Sequence, residues 1–221
     1  MYEDLGFLSS ESDLGEDLNK LFNQLSGFAP HSEYKRLLVA PRTLRSGLLE
    51  KINREIENQK AGKPAGIRLK LNSILDEEFI EALYTASMAG VKIDLVVRGI
   101  CAVRAGLPGI SENIKVRSIL GRFLEHSRIF HFVNGGDDEI FIGSADLMDR
   151  NLNRRVESLV RIVVPEHKDV LLKLLDEYLS DEIANWQMMP TGKWQNISKY
   201  ADGKSTASVQ QLLIDKYRIG Q

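Results

Sequence analysis

The 221 residues are 43% hydrophobic and 27% charged, with a formal net charge of −2. That describes an ordinary globular chain with room for one full domain and part of another. It argues against a generic nucleic-acid binder, which needs a large basic excess, and no run approaches the ~18 uninterrupted apolar residues of a membrane helix. Cys101 is the single cysteine, so an intrachain disulfide is impossible and a cytoplasmic, reducing setting is expected. Peripheral contact at the inner membrane stays open.

Residues 1–10 read as irregular. Asp13 with Glu16 forms a capping-box pattern for a helix carrying Leu14, Leu18, Leu21, Phe22 and Leu25 on one face, ended by Gly27. Residues 1–30 are therefore expected to be a separate acidic helical piece, with Pro30 and a solvated His31 opening a linker. A strand at 36–40, a helix at 43–59 with Leu44, Leu48, Leu49, Ile52 and Ile56 facing inward, a strand at 67–71, a helix at 76–89 ended by Gly90 and a strand at 91–97 come next. This order predicts parallel pairing with helices packed against the sheet. Residues 99–114 are long enough for a functional loop. Strands at 116–120 and 157–164 and an amphipathic helix at 166–179 complete the pattern, with His167 exposed. Beyond 181 the pattern weakens: Trp186, Met188 and Trp194 are placed back against the domain, 199–208 is read as mobile and 210–217 as a short helix. The tripeptide Gly203-Lys204-Ser205 is not a P-loop, because Ser198 stands where the first glycine is needed and no strand precedes it.

Charge is unevenly distributed. Residues 1–30 hold Glu3, Asp4, Glu11, Asp13, Glu16 and Asp17 against Lys20, whereas Arg98, Arg104, Lys115, Arg117, Arg122 and Arg128 fall within 98–128. A basic band in an acidic chain points to a focused anion site. His126 lies between Arg122 and Arg128. An alternating run to Phe132, a Gly135-Gly136-Asp137 turn and a strand at 139–142 read as a hairpin with this histidine at its mouth. Gly143-Ser144-Ala145-Asp146 comes directly after, and Ser144 or Asp146 is expected to cap the next helix. A helix N-terminus, a histidine and arginines converging there outline a phosphate site. Arg98, and Asn72-Ser73 on the preceding strand, sit at carboxyl ends of strands, where open α/β sheets bind ligands. Arg98 and His126 are expected at one cleft. His131 is given a structural part and Cys101 a place in the core.

His126-x-Arg128 followed by Gly143-Ser144 resembles a degenerate half of the His-x-Lys…Gly-Ser motif of the phospholipase D superfamily. The run from Val116 through Gly121-Arg122-Phe-Leu-Glu-His126-Ser-Arg128 is similar to the C-terminal catalytic region of bacterial polyphosphate kinases. Leu38-Leu-Val-Ala-Pro41, Lys70-Leu-Asn72-Ser73, Leu95-Val-Val-Arg98-Gly99, Gly109-Ile-Ser111-Glu112-Asn113 and Gly143-Ser-Ala-Asp-Leu-Met148 agree, so that the resemblance runs from Tyr2 to about Trp186.

The resemblance implies an α/β fold with a phospholipase D-like mixed sheet flanked by helices. Residues 1–30 would be the remnant of a preceding catalytic domain, 31–185 the phospholipase D-like C-terminal domain and 186–221 a tail. It also implies transfer of the terminal phosphate of ATP to inorganic polyphosphate, reversibly, through a phosphohistidine in an upstream domain absent here. Tyr2 and Arg98 match nucleotide-contacting residues. His126 matches a second histidine, proposed to act as general acid or to bind ATP. Mg²⁺ would come with ATP, its ligands lying outside this chain, whose one reactive histidine and lack of an acid cluster give no metal site of their own. ATP or ADP, polyphosphate and the upstream domains are the implied partners, with a homo-oligomer in the complete protein and no nucleic acid. Two alternatives remain. One is a phospholipase D-like phosphodiesterase assembled from two half-motifs, against which Arg128 stands in place of the motif lysine. The other is a non-catalytic polyphosphate- or nucleotide-binding module.

Overall fold

Side chains of the central strands alternate between two apolar layers, and that alternation makes the sheet two-sided. The computed structural model describes residues 1–27, 33–198 and 206–218. Its elements are β1 (Tyr2–Glu3), α1 (Ser12–Leu25), β2 (Leu37–Ala40), α2 (Leu44–Lys60), β3 (Gly66–Leu71), α3 (Glu77–Met88), β4 (Lys92–Val97), β5 (Ile114–Ser118), β6 (Leu124–Glu125), β7 (Ile129–Phe132), β8 (Glu139–Gly143), β9 (Glu157–Ile162), α4 (Pro165–Leu179), β10 (Asn185–Met188), β11 (Trp194–Ile197) and α5 (Val209–Tyr217). Among the described residues nine strands form one mixed sheet in the order β11-β10-β5-β4-β3-β7-β8-β9-β2. β3, β4 and β5 are parallel, and β7, β8, β9 and β2 continue the sheet as antiparallel neighbours.

Ile67, Leu69 and Leu71 of β3, Ile93, Leu95 and Val97 of β4 and Phe130 and Phe132 of β7 pack with α2 and α3 on one face. Val96, Ile129, Ile140 and Ile142 pack with Leu171, Leu174, Leu175 and Tyr178 of α4, and with Val209 of α5, on the other. Asp76 caps α3 through the Phe79 N–H at 3.3 Å. Glu55, buried on α2, accepts from the Gly66 and Asn134 N–H groups at 3.0 and 2.8 Å, fastening that helix to β3 and to the hairpin turn. The turn itself needs glycine, since Gly135 and Gly136 have φ of 69° and 104°. The expected α/β fold, a mixed sheet flanked by helices, and the expected hairpin are both present.

Several expectations are corrected. α1 begins at Ser12 after Glu11, with no side-chain cap, so the Asp13/Glu16 capping box does not form. Both carboxylates instead pair with Lys35, at 3.4 and 3.1 Å. The apolar face of α1 is only partly used: Leu14 and Leu21 pack on Leu37 and Val39, whereas Leu18, Phe22 and Leu25 are exposed. The reason is Asp17, fully buried between the two leucines, which accepts the backbone N–H groups of Lys35, Arg36 and Leu37 at 3.0, 2.6 and 3.2 Å. That bond set rotates the helix and docks it on β2, so residues 1–27 are not a separate piece.

Residues 2–3, read as irregular, pair in parallel with β6. A boundary at 185 falls inside β10, which pairs with β5 through Trp186 and Gln187, so the sheet continues into the expected tail. The linker at Pro30 and His31, residues 199–205 of the expected mobile segment and the Gly203-Lys204-Ser205 tripeptide lie outside the described residues.

Candidate functional site

The site is built at the junction of β1, β6 and the mouth of the β7–β8 hairpin. β6 ends at Glu125, and His126 is the next residue, its N–H bonded to the Glu3 carbonyl at 3.0 Å. Because side chains alternate along a strand, Tyr2 and Asp4 share one side of β1 and Glu3 takes the other. Tyr2 meets the His126 ring edge-on, with centroids 5.1 Å apart. Asp4 Oδ2 lies 2.8 Å from His126 Nδ1. Burial raises the Asp4 carboxyl, but the hydrogen bonds from His126 and the Leu5 N–H outweigh it and hold the group below the usual range. A carboxylate at Nδ1 requires that nitrogen to carry the proton, leaving Nε2 as the working atom.

Arg128 lies below the ring. Its Nη1 donates to the His126 carbonyl at 2.8 Å and stands 3.4 Å from each ring nitrogen. Its Nη2 reaches Asp146 Oδ2 at 3.2 Å. Asp146, expected to cap a helix, does not. It accepts from the Asn72 and Ser73 N–H groups at 2.7 and 3.2 Å, tying the end of β3 to the hairpin. Ser144 donates to Glu157, which also accepts from Asn151 at 2.7 Å. The chain then enters a π-helical turn at Arg150–Arg154, reached from Asp149 without a side-chain cap. The helix-N-terminus component of the expected phosphate site is therefore absent from this place. Asp4, His126, Arg128, Gly143 and Ser144 line a cavity of about 320 Å³.

Beneath the site lies a buried ionic cluster that sequence reasoning missed. Lys70, 2% exposed on β3, reaches Glu3 Oε2 at 3.0 Å, Glu125 Oε2 at 2.9 Å and the Ser127 hydroxyl at 2.6 Å, with its ammonium 4.6 Å from the centre of the Tyr178 ring. Tyr178 and Gln210 donate to Glu125, each at 2.7 Å. Burial pushes the Tyr178 hydroxyl far up, helped by Glu125. Burial also raises Glu3, but the Lys70 ammonium and the hydrogen bonds around it leave that carboxyl below its ordinary value. A lysine inside the apolar run of β3 was the available signal.

Arg98 does not share the His126 cavity. It lines a separate, much smaller one with Lys70, Asn72, Glu125 and Ser127, so the two residues expected at a single cleft line two different spaces. Arg98 Nε is buried and has no hydrogen-bond partner among the described residues. Arg122 is exposed and stacks on Phe123. His131 is buried, held between Arg68 Nε at 2.9 Å and Asp138 at 2.5 Å. Cys101 is half-buried against the core, and burial pushes its thiol up to about 11. Among the described residues no group of three His, Cys, Asp or Glu is placed to hold a metal, and no helix is long and apolar enough to cross a membrane.

A mixed sheet covered on both faces, with a histidine at a hairpin mouth and a Gly-Ser turn beside its arginine, defines an α/β domain with a histidine–arginine site. The family model described as polyphosphate kinase C-terminal domain 2 matches residues 37–210. The chain belongs to the polyphosphate kinase family. Polyphosphate kinase of Streptomyces coelicolor is 52% identical over 218 residues, covering 99% of this chain and 29% of that protein. The Thermosynechococcus vestitus polyphosphate kinase is 50% identical over 214 residues, covering 97% and 29%. The crystal structure of polyphosphate kinase from Porphyromonas gingivalis superposes with a TM-score of 0.88 at 36% identity, covering 95% of this chain and 32% of that one. The chain thus spans under a third of the length of these relatives.

Proposed function

We propose that this chain supplies the assisting half of a site that transfers the terminal phosphate of ATP to polyphosphate. The observation that carries the proposal is the His126 setting: Nδ1 held by Asp4 at 2.8 Å, Tyr2 against the ring edge and Arg128 beneath it. With Nδ1 protonated, Nε2 gives or takes one proton as a phosphoryl group moves past it, and Asp4 steadies the imidazolium form. Arg128, kept in place by Asp146, offers a fixed positive charge to phosphoryl oxygens in the same cavity. Tyr2 is assigned to the nucleotide through its exposed ring, and Arg98 to a phosphate through its unpartnered Nε.

The attacking histidine is assigned to a domain outside these residues, in a cytoplasmic enzyme. Among the described residues no three His, Cys, Asp or Glu side chains are grouped for Mg²⁺, and the ion's ligands are assigned to nucleotide oxygens and to groups beyond this chain. Homo-oligomeric assembly and the lack of a nucleic-acid partner are part of the same proposal.

Incubation with γ-labelled ATP and Mg²⁺ tests the division of roles. The chain alone is expected to acquire no acid-labile label, and a polypeptide that adds the remaining family domains is expected to acquire it. Label on the chain alone, lost in His126→Ala, would make His126 itself the nucleophile and overturn the assignment.

A further inference from the structure

We infer that Lys70 and Glu3 form a positioning pair that sets the register of the N-terminal strand, and thereby holds Tyr2 and Asp4 against His126. The inference rests on His126 being the working group of the proposed reaction, but its geometry stands apart from that chemistry.

β1 pairs with β6 over two residues only, Tyr2 with Leu124 and Glu3 with Glu125. A pairing so short does not hold a strand unaided. The added hold comes from the Glu3 side chain, which enters the buried cluster and whose Oε2 also accepts from the His126 and Ser127 N–H groups at 3.4 Å each. Its two oxygens accept from the Ser127 hydroxyl at 2.9 Å each, and Oε2 lies 3.0 Å from Lys70 Nζ. Lys70 also binds the Ser127 hydroxyl and Glu125. One ammonium therefore fixes the strand through Glu3, and it fixes the backbone next to His126 through Ser127.

Register gives this pairing its consequence. With Glu3 turned inward, alternation places Tyr2 and Asp4 on the His126 side, at 5.1 Å between rings and 2.8 Å from Nδ1. A slip of one residue would bring Tyr2 or Asp4 to the ammonium and Glu3 to the surface. Neither wrong choice suits the cluster. Tyr2 would leave the ammonium short of a counter-charge, and the shorter Asp4 reaches less far. Lys70 has no hydrogen bond to His126, and its effect passes through Glu3 and Ser127. It is a positioning residue.

The test uses this 221-residue chain, observed by NMR. Glu3→Ala keeps the buried Lys70–Glu125 pair and so keeps the sheet. The Tyr2–His126 ring contact is expected to disappear as an NOE, and the Asp4 carboxyl is expected to titrate upward, towards its ordinary 3.8. Resonances of Leu69, Leu95 and Phe130 in the sheet core should stay in place. Glu3→Gln, which still accepts from Lys70 and Ser127, should restore the NOE. Lys70→Met should lose it even where the chain remains folded. Persistence of the NOE and of the lowered Asp4 titration in folded Glu3→Ala would overturn the inference, as would failure of Glu3→Gln to restore what Glu3→Ala loses. Neither readout requires phosphate transfer, so a failure here is distinct from a failure of the proposed reaction.

Discussion

Asp4 Oδ2 stands 2.8 Å from His126 Nδ1, joining the residue that follows β1 to the residue that follows β6. In a polypeptide carrying all the family domains, Asp4→Ala should lower turnover by less than His126→Ala does. The latter removes a positioned acid or base worth roughly 10²–10⁴-fold. The Asp4 carboxyl is held below its ordinary 3.8, so the contact is fully present above that value and is lost as pH falls through the lowered folded one. Turnover in Asp4→Ala equal to that of the parent would show that the contact does not orient the ring.

His131 predicts a second pH effect, located away from the site. Burial lowers its pKa from 6.5, assisted by the Arg68 guanidinium and opposed by Asp138 and Asp176. Lys168 is bonded to the Asp138 carbonyl at 2.7 Å. The folded chain favours neutral imidazole. Its stabilising contribution is therefore intact above pH 6.5 and declines as pH falls from there towards the folded-state value. Denaturant midpoints compared on either side of the ordinary 6.5, at about pH 7.5 and about pH 5.5, should differ more in the parent than in His131→Gln. Equal slopes in the two proteins would remove His131 as the source.

The parts of the fold readable in the sequence are those whose periodicity extends over a whole element. Alternation in β3, β4, β7 and β8 and the helical repeat of α2 and α4 mark which side chains enter each apolar layer. β1 and β6 contain two residues each, too few to show any period. The cluster beneath the site joins residues 3, 70, 125, 127, 178 and 210, and separations of that kind leave no local trace beyond the lysine inside β3. In α1 the apolar count was visible, but Asp17 decided which face turned inward by binding three backbone N–H groups. His126 and Arg98 were both singled out from the sequence; the Lys70 cluster was not.

Gly143 offers a stability test at the end of β8. A Cβ there would sit 2.0 Å from the Ser158 carbonyl oxygen and 2.9 Å from Leu159 Cα, both backbone atoms. Gly143→Ala must therefore separate β8 from β9, at a cost of about 1–3 kcal/mol. It should also move Ser144 away from Glu157. A denaturant midpoint within error of the parent would show that the strands part without cost.

Cys101 should be slow to react. Burial raises its thiol to about 11, so almost no thiolate is present near neutral pH. Labelling by a thiol reagent is expected to accelerate strongly on unfolding in denaturant. A native-state rate matching that of the unfolded chain would contradict this packing.

Arg98 separates binding from stability. Its Nε is buried and has no hydrogen-bond partner among the described residues, and a buried guanidinium N–H left unsatisfied costs free energy that a phosphate oxygen can return. Arg98→Ala should therefore weaken binding of a non-hydrolysable ATP analogue by the loss of a charge-assisted bond worth about 1.5–3 kcal/mol, or roughly ten- to hundred-fold in Kd. The same substitution removes an unsatisfied buried donor, so the unfolding midpoint should hold steady or rise slightly. Arg98→Lys keeps the charge but not the planar fork, and should recover only part of the affinity. Affinity and unfolding midpoint falling together would make Arg98 a structural residue. Unchanged affinity in a folded Arg98→Ala protein would remove it from the nucleotide site.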